Sequence, residues 1–523
     1  MKRAAVLFFA FLGSGSAFGQ VEFQKTAGGA SRDYAYSIIT MADGGYLVAS
    51  QTEQPDPGRT DICLIRLNAS GDTLWSRIWG DTGSWEIPSK IIELPNGDIA
   101  LCGAWNNDIL LMRLDASGNP LWTKKYGGSL LDDARAFLAT SDGGYIMVGS
   151  STSYCAENVD LYVIKTDSLG DTLWTASFGG YYIESGNAVT ETPQGGFLIA
   201  GYAKLAANVS GDIYLLRLDA QGQLTWSKRF GGIGNDYVNA ILNTADGGCF
   251  IAGSSDSTGN GNTNFFLTRR DLQGNEMWTR HYGGNMPDNC YEMLRCADGG
   301  LALCGHTLGF GSGGLDGMLL KTDSAGTLLW SKTYGGNLDD MFYSAARTAG
   351  NGFIMAGSTA VNTVDYNTIY IVKTDSLGNT PCNMTVPAVQ SSVINWQSFP
   401  LSSVRGYGGA QNPESLSFLG NISCATLCST VGMNQPGLQE ENLAVYPNPT
   451  TPQQVLHIPL SEFTTGSAVT LRLHDITGRV LAEFQYEVQA SSLPLVARWP
   501  AGLYTISVSQ EGVQPRYAKW VIR

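Results

Sequence analysis

Short apolar runs alternate with polar turns from about residue 33 to residue 373, and this pattern predicts β-strands rather than helices. The runs are rich in aromatic and β-branched residues, which favour strands. The fourth unit of the pattern predicts strands near residues 185–192, 197–202, 213–218 and 223–230. Gly-rich turns such as Asp142-Gly143-Gly144 separate the first two strands of a unit, as tight hairpins require.

A tryptophan marks the repeat of this four-strand unit. It recurs in steps of 47 and then 52 residues. One further step of 52 residues reaches Phe23 upstream and Cys382 downstream. A period of about 50 residues predicts a propeller, a solenoid or an array. The repeated tryptophans are Trp75, Trp122, Trp174, Trp226, Trp278 and Trp330.

The two ends of the repeated region predict how it closes. The last unit supplies three strands, within residues 341–373, and then loses the fourth. The N-terminal segment 21–25 has the pattern of that missing strand. Because ring closure pairs edges that an open array leaves exposed, we predict an all-β fold with a seven-bladed β-propeller at residues 20–381, closed by the N-terminal strand.

The segments outside the repeats predict processing, a linker and a second domain. Residues 1–19 have a basic start and a short apolar core, and they predict a signal peptide cleaved between Gly19 and Gln20. Residues 382–439 lose the periodicity and predict a linker. Residues 440–523 predict a small Ig-like β-sandwich, because short strands and turns follow one another closely. No later apolar run reaches 18 residues, so no transmembrane span is expected.

Composition narrows the classes of partner. The formal net charge of −14 argues against nucleic acid or anionic membranes as partners. Cys63, Cys102, Cys249 and Cys304 lie in apolar strand patterns and are expected to be small core residues. Cys382, Cys424 and Cys428 lie outside the repeats and are the better candidates for a disulfide, whose pairing the sequence leaves open.

The C-terminal residues resemble a known family. The motifs are Tyr446-Pro447-Asn448-Pro449, the turn Asp475 to Gly478-Arg479, Gly502-Leu503-Tyr504, and the closing residues from Lys519. Together they resemble the C-terminal sorting domain of the type IX secretion system of Bacteroidetes. The resemblance implies that the secretion machinery is a partner. It also implies a location outside the cell or on the outer-membrane surface. The repeats resemble those of secreted propellers from the same bacteria, and no motif transfers an activity.

Two sets of acids are the candidate chemistry of the repeats. Both are expected at the same face of the propeller, where turn carboxylates would bond backbone amides. There are two alternative interpretations of these acids. One is a calcium site at the mouth of the propeller, with calcium as the cofactor. The other is a pair of catalytic carboxylates as in a glycosidase. One set is Asp33, Asp132, Glu184, Asp236, Asp288 and Asp340, with Trp85 at that position in the second unit; the other is Asp61, Asp108, Asp160, Asp212, Asn264 and Asp316.

The second unit departs from the others and suggests a binding site. Its loop between the second and third strands is five residues shorter and contains Trp105 and Asn106, and Trp85 stands where other units have an acid. These residues are expected on the same face as Tyr181 and Tyr182. Exposed aromatic residues beside Asn suit sugar stacking or a protein partner, whereas the structural interpretation is that the rings fill the gap left by the short loop. The leading prediction is therefore an exported, non-catalytic glycan- or protein-binding module. The alternatives are a polysaccharide-acting enzyme and a structural surface protein.

Overall fold

The computed structural model describes most of the chain between residues 21 and 522. The described residues are 21–28, 32–53, 59–81, 83–155, 158–180, 182–204, 206, 209–257, 262–360, 367–394, 396–400, 404–406, 410–414, 417–420, 423–429, 455–459, 468–474, 480–488, 492–496, 502–510 and 516–522. The predicted signal peptide and its cleavage site at Gly19 and Gln20 lie outside them. Residues 20–430 form one compact unit, and residues 431–523 belong to another.

Within the described residues of the first unit, all regular structure is β-strand, arranged as seven five-stranded antiparallel sheets. Sheet 1 contains β2 (Asp33–Thr40), β3 (Tyr46–Glu53), β4 (Thr60–Leu67), β5 (Thr73–Gly80) and β34 (Ser417–Gly420); sheet 2 contains β6 (Glu86–Glu93), β7 (Ile99–Trp105), β8 (Asp108–Leu114), β9 (Pro120–Gly127) and β33 (Ala410–Glu414). Sheet 3 contains β10 (Asp132–Ala139), β11 (Tyr145–Ser151), β12 (Asp160–Thr166), β13 (Thr172–Gly179) and β32 (Val404–Gly406); sheet 4 contains β14 (Ile183–Glu191), β15 (Phe197–Lys204), β16 (Asp212–Leu218), β17 (Leu224–Gly231) and β31 (Gln397–Pro400).

The remaining sheets repeat the same order of strands. Sheet 5 contains β18 (Asp236–Asn243), β19 (Cys249–Ser255), β20 (Asn264–Arg270), β21 (Glu276–Gly283) and β30 (Gln390–Ile394). Sheet 6 contains β22 (Asp288–Arg295), β23 (Leu301–Thr307), β24 (Asp316–Thr322), β25 (Leu328–Tyr334) and β29 (Met384–Thr385). Sheet 7 contains β26 (Asp340–Arg347), β27 (Phe353–Ala360), β28 (Asn367–Thr374), β1 (Phe23–Gly28) and β35 (Ser423–Ser429).

The first strand of the chain belongs to the last sheet. In sheet 7, β1 pairs with β28 in antiparallel register, with Phe23 opposite Lys373 and Ala27 opposite Ile369. The first strand of every sheet contacts the first strand of the next sheet, and β26 of sheet 7 contacts β2 of sheet 1. The N-terminal strand therefore supplies the fourth strand that the last repeat lacks.

The core lies between neighbouring sheets. One buried cluster joins Phe23, Ile354 and Ile371 of sheet 7 to Val48 and Ile65 of sheet 1. Equivalent clusters join each other neighbouring pair of sheets. The second strand of a sheet is covered on both faces, since every residue of β11, β19 and β23 is buried. This explains why the most apolar runs of the sequence fall on second strands.

The repeated tryptophan links one sheet to the next. A Cβ placed on Gly170, in the last turn of sheet 3, would lie 2.9 Å from the ring of Trp122 in sheet 2. The φ of 79° at Gly170 also favours glycine there. Phe23 takes the tryptophan's place in sheet 7, because a Cβ on Gly71 of sheet 1 would lie 2.5 Å from its ring. The regular spacing of the index residue thus reflects a contact that recurs between sheets.

Cations near the hairpin turns pair with turn carboxylates. Arg66, Lys165 and Lys321 are buried on the third strands, and their side chains reach the Asp of the turn between the first two strands of the same sheet. The distance from Lys165 Nζ to Asp142 Oδ2 is 2.9 Å. Arg269 and Asp246 form the same pair in sheet 5.

The structure differs from the predicted linker at residues 382–439. Residues 384–429, which we call the belt, contain β29 to β35 and add a fifth strand to the outer edge of sheets 6, 5, 4, 3, 2, 1 and 7, in that order. Residues 390–393 of the belt are exposed. A strand added to the outer edge of a sheet is held by backbone hydrogen bonds and needs no apolar alternation, so the sequence pattern indicated no strands there.

The C-terminal unit is also built of strands in its described residues. β36 (Val455–Pro459) pairs with β39 (Ser492–Val496), and a four-stranded sheet has the order β38 (Val480–Glu487), β37 (Ala468–His474), β40 (Gly502–Gln510) and β41 (Arg516–Ile522). Val469, Leu471, Ile506 and Val508 are buried at its centre.

Candidate functional site

The two sets of acids lie at one end of the strands, where the loops form a surface that we call the loop face. It comprises the loops that precede the first strand of each sheet and the loops that join the second strand to the third. The acids at the start of the first strand of each sheet, which we call the first-strand acids, are all buried. Sheet 2 also has such an acid, because Glu86 begins β6. The expectation that Trp85 replaces the acid is therefore wrong by one residue, since the loop before β6 is one residue longer than in other sheets.

The first-strand acids bond the backbone and hydroxyl groups around them. Asp236 Oδ2 accepts a hydrogen bond of 2.8 Å from Gly232 N, and Ser257 Oγ donates to the same carboxylate at 3.1 Å. Asp132 accepts from Gly128 N and from Ser151 Oγ in the same way. These bonds tie the end of one sheet to the start of the next, as the structural interpretation of the acids predicted.

Acids of neighbouring sheets approach one another at the glycine doublets. A Cβ on Gly231 would lie 2.4 Å from Asp236 Oδ2 and 2.7 Å from Asp212 Oδ1. Burial, with a smaller contribution from the charge of Asp212, raises the pKa of Asp236 to about 6. Burial likewise raises the pKa of Glu86 and that of Glu184 to about 7. Carboxyls with such pKa values can exchange protons near neutral pH, but these are at most 3% exposed, which denies them a substrate.

The described residues contain no group of three or more His, Cys, Asp or Glu side chains placed to hold a metal ion. Calcium takes six to eight oxygen ligands. Lys125 pairs with Asp108, and Arg229 with Asp212, at the positions where such ligands would be needed. The second set of acids is thus partly neutralised by protein cations.

The structure brings together three of the residues predicted to bind a ligand. Asn106 Oδ1 accepts a hydrogen bond of 3.0 Å from Trp85 N, and Asn106 N donates to Trp85 O at 2.8 Å. Trp85 is half-buried. Trp105 is 5% exposed and belongs to the core between sheets 1 and 2, with the Lys125 Nζ 5.0 Å from its ring centroid. The expectation that Trp105 is exposed for stacking is therefore wrong.

The predicted tyrosines lie further along the same face. Tyr182 is half-buried, and its carbonyl accepts a hydrogen bond from Val159 N at the junction of sheets 3 and 4. Tyr181 lies outside the described residues. The short loop of sheet 2 thus brings Trp85 to Asn106, whereas Tyr182 belongs to another junction.

A set of exposed apolar side chains that was not predicted from the sequence also lies on the loop face. They lie in or beside the loops of sheets 3–6, and Ile233 is 87% exposed. For Leu130, Leu131, Ile183, Ile233 and Met286 the signal in the sequence is an apolar residue between the glycine doublet and the acid. Leu338, before sheet 7, has the same position but is half-buried, so this signal does not by itself predict exposure. The set, which we call the apolar rim, is Leu130, Leu131, Ile183, Val209, Ile233, Tyr237, Met286 and Leu308.

A cavity of about 430 Å³ lies among the first strands of sheets 1, 2, 6 and 7. Lys90 of sheet 2 forms an ion pair there with Glu292 of sheet 6. Arg295 and Arg347 also line it, and Ser344 Oγ donates to Glu292 at 3.4 Å. Because Glu292 neutralises one of the three cations, the cavity is weakly basic.

Residues 444–523 match the family model of the secretion system C-terminal sorting domain. The chain ends in a sorting domain. This domain indicates export by the type IX secretion system, to the cell surface or to the medium. Gly502, Leu503 and Tyr504 begin β40, and Lys519 lies in β41 opposite Thr505. The motifs Tyr446 to Pro449 and Asp475 to Arg479 lie outside the described residues.

No helix among the described residues is long and apolar enough to cross a membrane. No curated protein matches the chain. Solved structures with similarity include Sqt1 of Chaetomium thermophilum, at 11% identity and a TM-score of 0.41, covering 68% of this chain and 98% of that one. A fungal alcohol oxidase of the AA5 family in complex with copper has 11% identity, a TM-score of 0.44, and covers 96% and 100%. The polysaccharide lyase Uly1 has 10% identity, a TM-score of 0.40, and covers 65% and 90%. Likenesses at these scores carry no functional argument.

Proposed function

We propose that this protein is an exported seven-bladed β-propeller that binds a protein partner without catalysis, through the loop face of blades 3–6. The sheets are its blades, the N-terminal strand closes the ring, and the C-terminal unit is an Ig-like sandwich that directs export. Pairing of β1 with β28 and the shared core between sheets 7 and 1 support the closed ring.

The observation that carries the binding proposal is the apolar rim. Loops that face water are normally polar, yet Ile233, Leu130 and Met286 are 87%, 54% and 45% exposed. Grouped exposed apolar residues mark interaction sites. Aliphatic side chains and Met suit a protein surface better than a sugar, which is bound by flat aromatic rings beside hydrogen-bonding groups.

The glycan alternative now depends on Trp85 and Tyr182, because Trp105 is buried. A glycan array with the wild type and Trp85→Ala tests it. Sugar binding that Trp85→Ala abolishes would favour a glycan over a protein. The alternative of a polysaccharide-acting enzyme has less support, because its paired carboxylates are buried and serve as hydrogen-bond acceptors.

The partner is sought by photo-crosslinking. A photoreactive amino acid replaces Ile233 on the loop face, or Leu377, which is 59% exposed in the last turn of sheet 7, as the matched control. The purified proteins are irradiated with extracellular material of the source cells. We expect a discrete cross-linked protein from position 233 that unlabelled wild type competes away and Met286→Asp does not. Equal labelling from both positions, or none from position 233, contradicts the proposal.

Export has its own test. Deletion of residues 446–523 should leave the protein inside the cell, because the sorting domain is then missing. Immunodetection in cell and medium fractions reports the result. Continued appearance of the shortened chain outside the cell would show that the tail is not required.

A further inference from the structure

Cys382, the residue just before the belt, is disulfide-bonded. The other described cysteines form no disulfide, and they are Cys63, Cys102, Cys155, Cys249, Cys290, Cys296 and Cys304. The chain has ten cysteines, so the partner of Cys382 is Cys424 or Cys428. Both of these residues lie in β35, the last strand of the belt.

The backbone register separates the two candidates. In the pairing of β1 with β35, Cys428 is opposite Gln24, whereas Cys424 is opposite Ala27. Three residues along a strand correspond to about 10 Å. The Gln24 side chain donates a hydrogen bond to the carbonyl of Cys382, so Cys382 lies at the Gln24 end of β1. A disulfide needs Cα atoms within about 7 Å.

We propose that Cys382 is bonded to Cys428, and that this bond closes the belt into a covalent hoop around the sheets. The belt leaves Cys382, adds a strand to sheets 6, 5, 4, 3, 2 and 1 in turn, and ends as β35 on sheet 7. Its two ends therefore meet at β1. A bond between residues 382 and 428 makes a closed loop that passes along the outer edge of every sheet.

The bond forms by oxidation of two thiols. Their two protons and two electrons pass to an external disulfide, whose S–S bond breaks to give two thiols as the new S–S bond forms. Compartments outside the cytoplasm supply such disulfide donors, and the sorting domain indicates that this chain leaves the cytoplasm.

The hoop strengthens the pairing of β1 in sheet 7, where no short connection along the chain joins the paired strands. β1 lies between β28 and β35, and it is far from both along the chain. Hydrogen bonds and packing hold this strand in sheet 7. With the bond in place, β35 cannot leave β1 unless the whole belt loosens. The cross-link also reduces the freedom of the unfolded chain over a loop of roughly 45 residues.

Peptide mapping under non-reducing conditions tests the pairing in the full-length protein. Free thiols are first alkylated, and chymotrypsin, which cuts after Leu427, separates Cys424 from Cys428. We expect a peptide with Cys382 linked to a peptide with Cys428, and alkylated Cys424. A linkage from Cys382 to Cys424 overturns the proposal.

Variants test the role of the bond. Cys428→Ser should lower the melting temperature by about 4 °C, as expected for a loop of this length in a unit of this size. It should also remove the response of the melting temperature to a reducing agent. Cys424→Ser is the matched control and should behave as the wild type. If a reducing agent changes neither the unfolding rate nor the melting temperature of the wild type, the disulfide does not stabilise the pairing of β1 with β35.

Discussion

The four inner strands of each sheet and the belt carry the same kind of secondary structure but very different sequence signals. The repeats bury both faces of their second and third strands, so aliphatic and aromatic residues recur with a fixed period. The sequence of the belt has no regular apolar pattern and predicts an irregular polar segment, although the belt contains a strand paired with every sheet. Hydrogen bonds to an edge strand need only the backbone, whereas burial needs apolar side chains.

Removing the belt should have the largest effect. Deletion of residues 384–429 exposes the outer strand of every sheet as an unpaired edge, which promotes association between molecules. We expect aggregation or large oligomers in size-exclusion chromatography. Restoring the residues in the same vector is the control. A stable monomer with an unchanged melting temperature would show that the belt is dispensable.

A single belt residue should behave like a core residue. Trp396 is 6% exposed and packs edge-on against Phe266, with ring centroids 4.9 Å apart. Trp396→Ala should lower the free energy of unfolding by about 3–5 kcal/mol, because a large buried ring is removed. Val393 of the same belt is 61% exposed, so Val393→Ala should cost less than about 0.5 kcal/mol. Denaturant titration measures both, and similar values for the two variants would contradict the comparison.

The belt should also control the protonation of a buried histidine. Burial lowers the pKa of His281 to about 4, and the His281 ring lies 5.6 Å from that of Trp396. In the unfolded chain the pKa is near 6.5. The folded state gains nothing from this group above pH 6.5, and its stability falls by about 3 kcal/mol as the pH drops from 6.5 to 4.

NMR titration of the histidine ring protons checks this. In the wild type, His281 should titrate near pH 4, and in Trp396→Ala its pKa should rise toward 6.5, because the ring is then wetted. His306 is the internal control, since burial lowers its pKa to about 4 and its ring contacts Tyr291 of the same sheet. A His281 pKa near 6.5 in the wild type would contradict the buried environment.

The turn ion pairs should have the smallest effect. Asp142 is paired with Lys165, and this pair together with hydrogen bonds from Thr140 and Gly144 lowers the pKa of Asp142 to about 2. Its side chain is 57% exposed, so solvent screens the attraction. Asp142→Asn should lower the free energy of unfolding by less than about 1 kcal/mol. Lys165→Met, which keeps the buried stem, serves as the paired control, and a loss above about 2 kcal/mol in either variant would contradict this estimate.

Several features of the fold were predictable because one repeated contact fixes them. The step between tryptophans reflects the packing of each ring on the next sheet, and Phe23 meets the same need, so its position predicted where the N-terminal strand pairs. Cys63, Cys102, Cys249 and Cys304 are buried and form no disulfide, which confirms their interpretation as small core residues.

The candidate site was less predictable. Trp105 ends β7 and Trp85 lies in the loop before β6. The sequence does not show that the Trp105 ring packs under Lys125 while Trp85 is half-buried. The acid of sheet 2, Glu86, was not predicted, because the longer loop before it shifts it one residue from the repeat position that Trp85 occupies. The apolar rim depends on which loop residues face water, which local pattern does not encode.

The sequence by itself determined the strands of the repeats, their order and the sorting tail. Burial on both faces is visible in residue type, and the motifs of the tail resemble those of the sorting family in kind and order. The tertiary structure alone decided the course of the belt, its pairing with each sheet and the place where its ends meet. Those depend on backbone hydrogen bonds between distant segments, which any residue except proline can donate, and which therefore leave little trace in the sequence.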